Sequence, residues 1–414
     1  MRIATSTITA IGVAGMNSQQ TQLVTLMEEI STNRTVNTAG DNPAAAAQSV
    51  GVQTAVQNTT TYQANQNAAQ TSLGLEDSTL QSVNTVIGNI QQLLQKANNG
   101  SLTDADRASY ATQLQSDRQQ LLSLANTTDA QGNYIFGGFQ TGAQPFTNNP
   151  SGPGVIYNGD QGVIAMQVSA QRQIPTSDPG SNVFLSATPG AATPVATAPT
   201  SNGGSGTIGQ FSTNQSGVAS NNDSYTIAFQ VANGATTYTV TDNSVTPPTT
   251  TNPATYTAGS SIQLGSGQSI VINGAPANGD TFNIAPPTAA QSNIFTSLDN
   301  AISALQTPSQ GGTGATNIAN AMATALQEIN NSQTTVLTTL ASVGSRQTEV
   351  TALGTLSSTV STTYSTQLSN LVGLSTDAMA GVYSQLSTIQ TQLEATQKAF
   401  VSTQQLSLFS DIQT

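Results

Sequence analysis

Apolar residues recur in steps of three and four near both ends of this 414-residue chain, and no such rhythm runs through its middle. Leu73, Leu80, Val83, Ile87, Ile90 and Leu94 keep one stripe on one helix face, with Glu76 at the single seam position that is not apolar. Tyr110, Leu114, Leu121 and Leu124 repeat the pattern around Asp117, after Ser101, Thr103 and Asp104, any of which can cap a first turn. Asn98-Asn99-Gly100 between the two stretches reads as a turn, so these helices are expected to run antiparallel. At the far end Val382, Leu386, Ile389, Leu393 and Phe400 carry the same code, with Thr396 between the last two, on a helix expected to start near Thr355. A further stretch over 16–34 aligns Leu23, Leu26, Met27 and Ile30.

A stripe of this kind serves either the core of a soluble bundle or a seam between subunits. Stripes close to both ends leave an isolated chain little to pack against, and their Ala, Ser, Thr and Gln neighbours weaken each helix alone. Leu23, Leu26, Met27, Ile30, Val382, Leu386, Ile389, Leu393 and Phe400 are therefore candidates for an assembly interface. Leu73 to Leu94, Tyr110, Leu114 and Leu121 are candidates for a seam within the chain.

Only 7% of the residues are charged, and the net charge is -12, with 20 acids against 8 bases. Without a basic stripe to displace phosphate counterions, nucleic acid is not an expected partner. Cysteine and histidine are both absent, which removes disulfides, thiolate metal sites and every Ser-His or Cys-His nucleophile arrangement. Glu28-Glu29 and Glu76-Asp77 are neighbours in sequence, and adjacent residues on a helix do not face each other, so paired-carboxylate chemistry is not expected. No cofactor or metal follows from the sequence. No run approaches the roughly 20 apolar residues of a membrane span or the form of a secretory signal.

From about Ser151 the period changes to two. Val163 to Val168 reads as a short strand, and Tyr225 to Val231 is joined through Asn233-Gly234 to Thr237-Tyr238-Thr239-Val240 as a hairpin. A second hairpin is expected from Ser269-Ile270-Val271-Ile272, through Asn273-Gly274 and Asn278-Gly279, to Thr281-Phe282-Asn283-Ile284. The stretches 187–220 and 246–261, rich in Thr, Ser, Gly and Pro, are expected to be exposed loops or flexible connections. Helical spacing resumes at Ile294, Leu298, Ile302 and Leu305, breaks over 308–314, and continues through Ile318, Met322, Ala325, Ile329, Val336 and Leu340. Gly344-Ser345-Arg346 then interrupts the apolar face.

Particular residues add to the pattern. Arg34-Thr35-Val36-Asn37-Thr38-Ala39-Gly40-Asp41-Asn42-Pro43 resembles the turn between the first two helices of flagellins and flagellar hook-filament junction proteins, and Ala341-Ser342-Val343-Gly344-Ser345-Arg346 resembles its C-terminal partner segment. Gly132-Asn133-Tyr134-Ile135-Phe136-Gly137-Gly138 and Tyr157-Asn158-Gly159-Asp160 look more like the junction proteins than the flagellins. The opening Met1-Arg2-Ile3-Ala4-Thr5 and the closing Leu406-Ser407-Leu408-Phe409 fit as well, while Asn42 stands where the family usually has an acid. Read locally, Pro43 suits a first helical turn with Asp41 as its N-cap. The resemblance adds Arg34 and Asp41 to the assembly surface, and Val343 and Arg346 to the internal seam.

The expected fold is α+β: a flagellin-like antiparallel helical bundle or coiled coil from both termini with an inserted β-rich domain. Its parts are an assembly helix and turn over 1–45, a helical rod with a β-hairpin over 46–165, the β insert over 166–288, the returning rod over 289–360 and a C-terminal assembly helix over 361–414. What the resemblance implies is a structural protein and not an enzyme, exported through the flagellar type III channel without a cleaved signal peptide to an extracellular place on the flagellum. Its implied partners are further copies of itself in a ring, the first junction protein, flagellin and an export chaperone. Flagellin itself is one alternative. A secreted adhesin or glycan-binding protein working through the β insert is the other.

Overall fold

The computed structural model describes residues 5–186, 192–213, 222–309 and 312–412. The opening four residues and the side chains of Leu406 to Phe409 lie outside what is described. Helix α1 spans Thr5–Thr32, α2 Pro43–Ala97 and α3 Asp104–Ala125. Short strands follow: β1 Phe146–Asn148, β2 Val155–Tyr157, β3 Ala165–Ser169 and β4 Arg172–Pro175, then the single-turn helix α4 Gly180–Phe184. The insert continues with β5 Val195–Thr197, β6 Thr207–Ser212, β7 Tyr225–Ala232, β8 Ala235–Asp242, β9 Thr249–Thr250, β10 Ala254–Thr255, β11 Ser261–Gln263, β12 Ser269–Asn273 and β13 Thr281–Ala285. Helices α5 Ile294–Gln306, α6 Gly314–Val372 and α7 Thr376–Ile412 complete the chain. It divides into two compact units, 65–352 and 1–64 with 353–414, and α2 and α6 contribute residues to both.

In the central unit the heptad stripes are fully used. Leu73, Leu80, Val83, Ile87, Ile90, Leu94, Leu114, Leu121 and Val343 are all buried, and Tyr110 is half-buried. α2 and α6 run antiparallel there, since Gln333 donates to Asn84 (3.0 Å) while Gln91 donates to Asn330 and Gln333 (2.8 Å each). α3 packs on α5. Thr103 opens α3 with a capping box in which its hydroxyl accepts from Asp106 N–H and the Asp106 carboxylate accepts from Thr103 N–H. Phe136, Phe146 and Phe184 meet edge-on at 5.3 and 5.5 Å between ring centroids, and Phe295 of α5 completes the cluster.

The insert holds a six-stranded sheet in the order β10-β8-β7-β13-β5, with β9 also on β8, and a three-stranded sheet β11-β12-β6; every pairing is antiparallel. Tyr225, Ile227, Phe229, Val240, Phe282 and Ile284 from the first sheet share one core with Ile208, Ile262, Ile270 and Ile272 from the second, and Ala323 of α6 joins them. The β7–β8 hairpin forms as the sequence implies, with Asn233 (φ 54°) and Gly234 (φ 77°) in the left-handed region that a tight two-residue turn requires.

Three expectations are corrected. β12 and β13 do not form a hairpin: β12 pairs with β11 and β6, β13 with β7 and β5, so the chain from Asn273 to Gly279 crosses between sheets. Both strands bury alternate residues in the common core of the two sheets. The 187–220 stretch is not simply an exposed loop, because Val195, Ala196 and Ile208 are buried, Ala196 accepts from Thr324 and donates to Gln327, and Asn320 clamps Ile208 and Gly206, whereas 246–261 is largely exposed. The last helix does not start near Thr355. α6 continues to Val372 and breaks at Gly373, where a Cβ would lie 2.5 Å from Ser369 O, and Ser375 then caps α7 by accepting from Ala378 N–H (3.2 Å).

Candidate assembly surface

The terminal unit is built on α1 and α7. Leu26 packs near Val382 and Leu374, whereas Gly12 lies against Phe400, so the two helices run antiparallel. Leu26, Leu374 and Val382 are buried, and Ile30, Ala378, Met379, Leu386 and Ile389 close around them. Five residues expected at a contact between subunits, Leu26, Ile30, Val382, Leu386 and Ile389, therefore satisfy one another within one chain. Leu23, Leu393 and Phe400 are half-buried. Met27 alone of that set is largely exposed, at 52%.

What remains uncovered on α1 lies mostly further toward the N-terminus than the 16–34 stretch. Ile8 (45% exposed), Ile11 (65%), Val13 (41%) and Val24 (61%) lie on α1, and Val401 (53%) lies on α7. Between the helices Ile8, Ile11, Gly12, Ala399 and Phe400 line a groove of about 260 Å³. Gly12 admits the Phe400 ring, because a Cβ there would come within 3.1 Å of it. Several large apolar side chains left exposed along one helix pair mark a surface made to be covered. The sequence carried a signal for this part of α1 in the three-residue spacing of Ile8 and Ile11. Gly12 and Gly15 hid it by lowering helix propensity.

The loop after α1 is tied to the break between α6 and α7. Thr35 N–H donates to Val372 O (2.9 Å), Leu374 N–H to Asn33 O (3.1 Å), and Arg34 bridges Gly373. Asp41 is not the N-cap of α2. Its carboxylate accepts from Asn37 N–H (2.9 Å) and Thr38 N–H (2.8 Å), which holds its pKa below the usual carboxylate range and knits the loop to itself. Asn42 does the capping, accepting from Ala45 N–H at 3.1 Å. Burial, then the charge of Asp41, raises the carboxyl of Glu29 beside this loop.

In the central unit Arg346 is a buried pairing residue: it donates to Pro175 O (3.2 Å) and forms an ion pair with Asp178. Phe139 is 66% exposed at the end of the loop carrying Gly137-Gly138, which Asp160 fixes by accepting from the N–H groups of Phe139 and Gly162 (2.8 Å each). Among the described residues no helix is long and apolar enough to cross a membrane, and no group of three acids, histidines or cysteines could hold a metal ion.

Residues 3–141 match the family model for the bacterial flagellin N-terminal helical region. The chain is 36% identical to flagellar hook-associated protein 3 of Salmonella typhimurium over 191 residues, which is 46% of this chain and 59% of that relative. Its likeness to the protein of the same name from Escherichia coli runs from end to end, at 28% identity over 99% of both chains. Among solved structures, FlgL from Xanthomonas campestris superposes with a TM-score of 0.65 at 28% identity, covering 77% of this chain and 99% of that one. Hook-associated protein-3 from Legionella pneumophila superposes at 0.68 and 25% identity over 77% of this chain and 98% of its own.

Proposed function

We propose that this chain, which carries a flagellin-type N-terminal region and resembles hook-associated protein 3 along its whole length, is a structural component of the bacterial flagellum at the hook-filament junction. It assembles with other flagellar components and stands outside the cell. Copies of the chain form a ring that adapts the first junction protein, on the hook side, to flagellin on the filament side. The chain reaches that place through the flagellar export channel, escorted by a chaperone. Its work is association and not catalysis.

The observation that carries this reading is the uncovered apolar surface of α1 and α7, where Ile8, Ile11, Val13, Val24, Met27 and the Phe400 groove have no cover within the terminal unit. Neighbouring subunits bury it. Closing a ring satisfies both unlike faces of every subunit. Ile11→Asp places a charge in that contact at a cost of several kcal/mol once buried, while a free monomer keeps it in water. Cells carrying the variant should swim poorly and shed flagellin into the medium; normal swimming with no flagellin leakage would remove α1 from the contact.

The adhesin alternative is tested by deleting the insert. The deletion must spare β4, α4 and their contacts to the helices, so the useful cut removes 195–285, whose ends Val195 and Ala285 are register partners and can be bridged by a short Gly-Ser linker. Filaments on the deleted protein place the working surface on the helices. Bare hooks, with the exported protein stable, would place it on the insert.

A further inference from the structure

The β3–β4 hairpin lies across both long helices of the central unit as a strap. From α2, Asn65 donates to Gln167 O (2.8 Å) and Gln66 to Val168 O (2.7 Å). On the other side Arg172 of β4 makes a two-pronged pair with Glu349 of α6 (2.5 and 2.8 Å), and Arg346 of α6 donates to Pro175 O. Val168 and Ile174 are fully buried beneath it.

Just past the strap, two acids share one base. Asp178 pairs with Arg346, and its N–H donates to Glu76 Oε1 at 3.0 Å. Glu76 is 1% exposed, and its Oε2 has no donor among the protein groups around it. An ionised carboxylate taken out of water without a full set of donors is costly, and one guanidinium cannot neutralise two of them. A carboxyl group facing a carboxylate is satisfied by one shared proton. We propose that a single proton held between Glu76 and Asp178 latches the β3–β4 strap onto α2 and α6, and that alkaline surroundings remove the proton and loosen the strap.

The electrostatics agree in direction. Burial first, then the charge of Asp178, pushes Glu76 up to about 8, against the opposing pull of Arg346. Of the other charged groups nearby, Arg172 and Glu349 hold each other ionised, their pKa values pushed apart by their pairing, and the Asp77 carboxylate on α2 accepts from Gln81 at 2.7 Å. α4 carries no titratable side chain. Since the folded pKa lies above the ordinary value of 4.5, the latch is fully closed below that value and is lost as pH rises through about 8.

Trypsin reads the strap directly, because it cuts after Arg172 inside the hairpin and no Lys or Arg lies between Arg172 and Arg346. Exposed Lys398 on α7 serves as an internal control for protease activity at each pH. When reclosing outpaces cutting, the rate follows the open population. In the full-length chain the ratio of cutting after Arg172 to cutting after Lys398 should rise roughly tenfold between about pH 6.5 and about pH 9.5. Glu76→Gln, whose amide donates to Asp178 at every pH, should keep the ratio flat. A flat ratio in the wild type, or an equal rise in both proteins, overturns the proposal. Should Glu76→Gln fail to fold, the ¹³C shift of the Glu76 carboxyl in the wild type decides: a midpoint well above the carboxylate range supports the latch, and an ordinary midpoint overturns it.

Discussion

The central and terminal units are both made of long helices rich in Thr and Gln, yet they satisfy those helices in different ways. In the central unit each stripe closes on another within the chain, and the phenylalanine cluster and the two-sheet core seal its sides. In the terminal unit Leu26, Leu374 and Val382 form a small core, and Ile8, Ile11, Val13 and Val24 of α1 lie exposed. A heptad stripe thus specifies that something must cover it, and the number and size of its intramolecular neighbours decide whether the cover comes from the same chain.

The contrast is broken most sharply by emptying the central core. Phe295→Ala should lower the stability of the purified chain by about 3–5 kcal/mol in urea unfolding, since the ring is fully buried among Phe146, Phe184 and the Arg118 guanidinium. A loss below about 1 kcal/mol would mean that the cluster does not hold α5.

Next in size is a pH effect confined to the same unit. Burial pushes the Glu328 carboxyl up to about 7, opposed by hydrogen bonds with Ser297 and Gln291. Its folded pKa is raised, so its contribution to stability is full below 4.5 and fades as pH rises through about 7. At about 1.4 kcal/mol per pKa unit, Glu328→Gln should flatten the stability profile across that window by up to roughly 3 kcal/mol. An unchanged profile by denaturant melts would place the Glu328 side chain in water.

Thr103→Ala should cost about 1 kcal/mol by removing the capping box of α3, and Thr103→Ser should restore most of it. The smallest effect belongs to the terminal unit. Ile11→Asp should change monomer stability by less than about 0.5 kcal/mol while it impairs assembly, because a 65% exposed side chain contributes little until a neighbour covers it. A large loss in the monomer would show that the α1 surface is already buried in the free chain.

Much of this was legible in the sequence where the code is local. The stripe from Leu73 to Leu94 and the Asn233-Gly234 turn are set by spacing and backbone preference, so they form wherever the chain puts them. Capping was legible in kind and misassigned in detail, with Asn42 doing what Asp41 was expected to do, because two adjacent residues of similar chemistry differ only in where the preceding loop points them. The second Asn-Gly pair misled for a related reason. A turn signal fixes a change of direction, but which strand lies alongside is settled by burial against partners far away in sequence, here β6 at Thr207–Ser212 and β7 at Tyr225–Ala232.

By itself the sequence determined the helical ends, the β insert, the absence of Cys and His chemistry and the family to look toward, since each rests on composition, period or a short motif. Only the tertiary structure decided which apolar residues of α1 and α7 are spent on each other, which residue caps α2, and that Glu76, Asp178 and Arg346 come together from positions more than 100 residues apart along the chain. Periodicity names the face of an element. The opposite face that meets it is chosen by the folded chain as a whole, through burial and charge balance that no local window contains.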